Sequence, residues 1–219
     1  DETYYKILVP EKNSKGKGVR KGYLWVVVGI NTRMIYLLYD DGSRSEKVIL
    51  NELGGCKGII QSDGYSPYRK LESDAYPHIT RIPCLQHIKR KFIDCGEDEP
   101  DAKRIVELIN TLYQNEHKHK IGVDGWTVEQ NLVHRKKYAP DILGEIKDVL
   151  DDIEERGDLL PKSELKEAVT YLRNEWNAVV DIFNYGDTYL DNNIVERMNR
   201  YISLSRKNSL FFGSHKGAE

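Results

Sequence analysis

The sequence predicts a mixed α/β fold that carries an all-helical insertion. Three observations lead there. Three β-rich runs follow one another in the first 39 residues, strand-like runs then alternate with helices up to Ile93, and apolar residues recur at helical spacing from about Asp101 to Asn184. Adjacent strands in a meander followed by strand–helix alternation point to a mixed sheet and not to a purely parallel one.

The elements follow in order. Thr3–Val9 (TYYKILV), Tyr23–Ile30 and Met34–Tyr39 are rich in β-formers, the last two joined by the polar turn NTR. Ser45–Leu53 reads as a short helix closed by Gly54-Gly55. Gly58–Gln61 is a short strand of the buried type, running into Ser62-Asp63-Gly64-Tyr65; His78–Pro83 is a fifth strand, and Leu85–Ile93 a helix. Beyond it, Ile105, Leu108, Ile109 and Leu112 share one helical face. Ile142, Ile146, Val149 and Ile153 share a second, and Leu165, Val169, Leu172, Trp176, Val179 and Phe183 a third. The predicted division is a first core part at 1–98, the helical insertion at 99–186, and a second core part at 187–219. A last helix starts near DNNIVERMNR (191–200), where Asp191, Asn192 or Asn193 can cap it.

With 39% hydrophobic and 31% charged residues, the chain suits a soluble protein with a real core. Its longest strongly apolar run, LWVVVGI (24–30), is far short of the roughly 20 residues a bilayer requires, so no membrane partner is expected. The three cysteines, Cys56, Cys84 and Cys95, do not make a disulfide scaffold and favour a reducing compartment. The chain opens at Asp1 without a methionine and reads as a fragment or processed chain, in which Asp1 is expected to fray.

A net charge of −2 does not announce a nucleic-acid binder, but the cations are clustered. No acid stands between Ala75 and Ile93, which hold Arg81, Lys89, Arg90 and Lys91. None stands between Arg197 and Ala218, which hold Arg197, Arg200, Arg206, Lys207 and Lys216. The run from Lys12 to Gly22 has five cations and no acid. Such stretches can face phosphates, or be cancelled by acids nearby in space. SKGKGVRKG lacks the spacing of a phosphate loop.

Three acids hold distinctive places. Asp1 opens the first strand, Asp63 follows the fourth, and Glu196 stands in the first turn of the last helix. At about 100° per residue, Ile194, Met198, Tyr201 and Ile202 form that helix's core side, with Glu196 roughly opposite and Arg200 beside it. Alone, each acid has an ordinary reading, as a turn residue, a dipole partner or a chain end. Together, three hard oxygen donors in one cleft would bind Mg²⁺ or Mn²⁺ in preference to Zn²⁺. Such ions promote phosphodiester transfer. Arg197 and Arg200 flank Glu196, where they can keep it ionised or hold a phosphate. Cys84-x-x-His87 is only half a zinc site, with no second close pair.

The sequence resembles the catalytic domain of DDE transposases of the insertion sequence 66 family. The matching stretches are DET (1–3), GYLWVVVG (22–29), QSDGYSPY (61–68), CLQHIKRKF (84–92), LPKSELKEAVTYLRNEW (160–176), DNNIVERMNR (191–200) and RKNSLFFGSHKGAE (206–219). They run in order over nearly the whole chain. The resemblance implies an RNase H-like fold with a helical insertion before the last catalytic helix. It implies Asp1, Asp63 and Glu196 as catalytic acids and as ligands of Mg²⁺ or Mn²⁺. It also implies DNA cleavage and strand transfer, with element ends and target DNA as partners, a homo-oligomer in the active complex, and a prokaryotic, cytoplasmic, nucleoid-associated setting. Arg197, Arg200, Arg206, Lys207, Lys89, Arg90 and Lys91 are the candidate DNA contacts, and His87 is site-adjacent. The alternatives are an RNase H-like nuclease without strand transfer and a catalytically inactive DNA-binding remnant.

Overall fold

A computed structural model describes residues 1–11, 18–208 and 212–218. The basic run from Lys12 to Lys17 and the residues Ser209, Leu210 and Phe211 lie outside the described residues. The chain divides into two units. The first comprises Asp1–Gly58, Tyr65–Ile79 and Asn192–Glu219; the second comprises Ile59–Gly64 and Thr80–Asp191.

In the first unit, β1 (Glu2–Leu8), β2 (Val19–Gly29) and β3 (Met34–Leu38) form an antiparallel meander with β2 in the middle. The alternation of side chains across a strand is visible directly, with Tyr5 and Ile7 buried and Tyr4 and Lys6 exposed. β2 starts four residues before the expected Tyr23, because Leu8↔Val19, Ile7↔Arg20 and Lys6↔Lys21 pairs extend the ladder into the polar run. Trp25 is fully buried, donates Nε1–H to Ser43 O at 3.1 Å and meets Tyr68 edge-on. Tyr68 comes from α2 (Ser66–Arg69), which with α1 (Glu46–Leu53) follows the meander. Ser45 caps α1 by accepting Lys47 N–H at 3.3 Å. α7 (Asn193–Asn208) packs on β1 and β2, and its Ile202 carbonyl accepts the Tyr5 hydroxyl at 2.7 Å. Phe212 continues alongside β1, exchanging backbone hydrogen bonds with Lys6 and Leu8 at 2.9 Å.

The second unit is built on α3 (Leu85–Ile93), α4 (Pro100–Glu116), α5 (Val128–Arg156) and α6 (Glu164–Ile182). One core joins Leu85, Ile88 and Phe92 of α3 with Ile105, Leu108, Ile109 and Leu112 of α4. Ile142, Ile146 and Ile153 of α5 and Leu165, Val169, Leu172 and Val179 of α6 complete it. These are the three stripes expected from periodicity; Val149 and Trp176 are only partly buried against the core. Gly157 ends α5 in the left-handed conformation (φ 67°), where a residue without Cβ is unstrained.

The expected single mixed sheet is divided. Among the described residues β4 (Gly58–Ser62) and β5 (Ile79–Pro83) form a two-stranded sheet separate from the meander. The Gln61 side chain ties it to the second unit's last segment, donating to Pro83 O at 3.2 Å and Tyr189 O at 2.8 Å. Helices account for most of the regular structure, and the fold class is mixed α/β. Among the described residues no helix is long and apolar enough to cross a membrane.

Candidate active site

In the first unit Asp1 is held by the sheet. Val26 N–H donates to its carbonyl at 2.8 Å, and its own nitrogen donates to Val26 O at 3.2 Å. The register thus carries on one residue beyond Glu2↔Trp25. Neighbouring strand residues point to opposite faces, and the two acids at the start of β1 part accordingly. The Glu2 carboxylate accepts Arg44 Nε–H at 2.9 Å and Nη2–H at 2.6 Å, and the Tyr68 hydroxyl at 3.3 Å. The Asp1 carboxylate instead accepts Asn199 Nδ2–H from α7 at 2.6 Å, and Glu2 N–H at 2.9 Å.

Asn199 lies three residues after Glu196, on the same helical face. Glu196 is partly buried in the first turn of α7, its N–H donating to Asn192 O at 3.2 Å. The start of β1 is thus joined to the helix that carries Glu196. Asn199 escapes a sequence reading because its partner is 198 residues away. Its Oδ1 is buried without a hydrogen-bond partner among the described residues.

Asp63 belongs to the second unit and follows β4 directly. Its carbonyl accepts Ser62 Oγ–H at 2.9 Å and Arg81 Nη1–H at 3.2 Å, and the next N–H, from Gly64, donates to Tyr171 Oη at 2.9 Å. Arg81 is fully buried and paired with Glu175, which is also fully buried. Arg81 is therefore not a phosphate contact; a nearby acid cancels it. Burial, with Glu175 beside it, pushes the Tyr171 hydroxyl up to about 12.

The carboxylates of Asp1, Asp63 and Glu196 offer oxygen donors, the type preferred by Mg²⁺ or Mn²⁺. The buried Asn199 Oδ1, on the side chain that also binds Asp1, is a further donor of that type. Among the described residues no three His, Cys, Asp or Glu side chains are gathered as a metal-holding group. Cys84 is buried at the start of α3, and His87 is half-buried one turn on.

The cations differ in what they can offer. Arg197, Arg200 and Lys207 are exposed on α7, as are Arg90 and Lys91 on α3; Lys89 is half-buried. Arg206 is already engaged, donating to Tyr4 O at 2.7 Å and Ser203 Oγ at 3.2 Å while lying 4.6 Å from the centre of the Tyr4 ring. Tyr201, expected on the core side of α7, is instead 70% exposed. With Tyr5, Tyr39, Ile202 and Phe212 it lines an open cavity of about 520 Å³.

Three proteins of Sinorhizobium fredii are similar in sequence. "Uncharacterized protein y4jD" is 30% identical over 184 residues, which are 81% of this chain and 35% of that protein. "Uncharacterized protein y4qI" is 28% identical over 232 residues, 99% of this chain and 41% of that protein. "Uncharacterized protein y4hP" is 26% identical over 200 residues, 84% of this chain and 35% of that protein. The chain spans about two fifths or less of the length of these curated relatives. The model of one family, described as Transposase IS66 family, matches from the residue that anchors β1 to the last residue of the chain. On that match over residues 1–219, the chain belongs to the transposase IS66 family.

Proposed function

We propose that the chain is the catalytic domain of a DDE transposase, cleaving DNA and transferring the strand it exposes. The observation that carries the reading, beside family membership, is the bond between Asp1 and Asn199, because it ties the first proposed acid to the helix of the third. The meander opening at Asp1, Asp63 at the end of β4 and the late helix with Glu196 support an RNase H-like core at 1–98 and 187–219, with 99–186 as its helical insertion.

Asp1, Asp63 and Glu196 would hold Mg²⁺ or Mn²⁺, which when bound supplies Lewis-acid charge at the scissile phosphate. Asn199 orients Asp1. Arg197 and Arg200, exposed beside Glu196, pair with backbone phosphates, and Lys207, Lys89, Arg90 and Lys91 extend the contact. Hydrolysis breaks the P–O3′ bond at the element end, water supplying the new P–O bond and leaving a 3′-hydroxyl. That hydroxyl then attacks a target phosphodiester, forming one P–O bond as another breaks. Positioning and charge neutralisation carry the rate. The active complex is a homo-oligomer on element ends and target DNA, in the prokaryotic cytoplasm.

A strand-transfer assay with a pre-cleaved labelled end tests this. Joined products that require the divalent ion and vanish in Asp63→Asn are expected. Cleavage without joining would leave an RNase H-like nuclease. Activity indifferent to Asp63→Asn, with no Mg²⁺ or Mn²⁺ binding by calorimetry, would leave an inactive DNA-binding remnant.

A further inference from the structure

Within the second unit, one peptide plane is gripped at both ends. The carbonyl of Asp63 and the N–H of Gly64 belong to the same peptide group. The carbonyl accepts from Arg81 and Ser62, and the N–H donates to Tyr171. Because a peptide group is planar and rigid, fixing both its polar ends fixes its rotation. That sets ψ of Asp63 and φ of Gly64, and with them the direction of the Asp63 Cα–Cβ bond.

The grip comes from two elements. Tyr171 and Glu175 stand four residues apart on α6, hence on one face; Arg81 comes from β5. A fully buried ion pair adds little net stability, since desolvating both charges offsets their attraction. This pair has a second consequence. Glu175 binds Arg81 through Nη2, leaving Nη1 to reach Ser62 Oγ at 3.4 Å and the Asp63 carbonyl at 3.2 Å. Gly64 belongs to the same arrangement, because a Cβ there would lie 2.2 Å from Tyr171 Oη.

We propose that Tyr171, Glu175 and Arg81 are positioning residues that lock the Asp63–Gly64 peptide plane and so aim the Asp63 carboxylate at the metal. The inference rests on Asp63 being a metal ligand, as proposed above. Partners of metal ligands typically contribute ten- to hundredfold to metal affinity.

The test is nicking of supercoiled plasmid DNA by the full chain, titrated with Mn²⁺, alongside melting temperature. Asp63→Asn should abolish nicking; if it does not, the functional reading falls and the positioning role with it. Tyr171→Phe, which keeps the ring but removes the acceptor of the Gly64 N–H, should raise the half-saturating Mn²⁺ concentration by about tenfold or more. Glu175→Gln should move it in the same direction. If Asp63→Asn is inactive while both variants keep the original half-saturating concentration, the positioning role is overturned and the functional reading stands. A lowered melting temperature with unchanged metal dependence marks a merely structural role and overturns it equally. Hydrogen exchange on the unsubstituted chain gives a readout free of folding defects: the Gly64 amide should be strongly protected, and exchange at the rate of an unstructured peptide would refute the lock.

Discussion

Arg135 has no exposed side-chain surface and holds together a corner of the second unit. It donates to the Glu116 carboxylate, to the carbonyls of Ile182, Tyr185 and Thr188, and to Thr188 Oγ1. Burial alone would raise the Glu116 pKa; hydrogen bonds from and the charge of Arg135 outweigh it and hold the carboxyl below the usual range. A depressed folded pKa gives stability that is complete above the ordinary glutamate value and is lost as pH falls through the folded one. Glu116→Gln should therefore flatten the acid side of a melting-temperature profile while costing less near neutrality than Arg135→Met. The latter leaves Glu116 as an uncompensated, largely buried charge and should cost about 3–5 kcal/mol by denaturant unfolding. At Gly64, an alanine would place its Cβ 2.2 Å from Tyr171 Oη. Gly64→Ala should lower the melting temperature by more than Gly64→Ala measured in a Tyr171→Ala background. Equal losses in the two backgrounds would refute the clash. The place of Glu196 in the first turn of α7 was legible in the sequence, because a first-turn acid after a capping run has a local signature. Asn199 and Tyr171 were not, because nothing local says that an amide or a phenol will meet a backbone or carboxylate far away in sequence.

The helices of the second unit show what local pattern does and does not specify. Their buried stripes were readable, since a spacing of three and four residues follows from 3.6 residues per turn. Their extents were less so: eleven residues between α4 and α5 lie outside both helices, and α5 runs through Pro140. A proline removes one N–H from the ladder. Packing of Ala139, Ile142 and Leu143 on both sides of it keeps the helix assembled. Thr127 starts that helix in a reciprocal capping box. Its Oγ1 accepts Gln130 N–H at 3.2 Å, and Gln130 Oε1 accepts Thr127 N–H at 2.9 Å. Thr127→Ala should cost about 1 kcal/mol in urea unfolding, within the range of N-cap deletions, with an unchanged m-value. No loss would show that tertiary packing alone fixes the start of α5. The sheets were read less well than the helices. Each of the five strands was visible, but which strands share a sheet depends on pairings that no local run encodes.

For the molecule as a whole, net charge misleads. The chain carries −2 overall, yet its cations are not spread evenly. Several acidic residues of α4, α5 and α6 are occupied: Arg173 binds Asp151 and Glu154, Arg104 binds Glu145, and Arg135 and Arg81 bind Glu116 and Glu175. Arg206 is likewise held by the sheet. The exposed arginines beside Glu196 remain on the surface that the proposed reaction needs. Binding of DNA should therefore depend on salt as a locally basic protein's does, with log K falling linearly with log salt at about 0.9 per phosphate neutralised. Arg197→Ala together with Arg200→Ala should reduce that slope by roughly 1.8 if each holds one phosphate of duplex DNA. Arg206→Ala should leave the slope nearly unchanged and act on stability instead, because its guanidinium is bound to Tyr4 and Ser203. Fluorescence anisotropy with a labelled duplex across a salt series separates the two. If Arg206→Ala lowered the slope and the pair at 197 and 200 did not, DNA would follow the sheet edge and not the first half of α7, and Glu196 would lose its phosphate-binding neighbours.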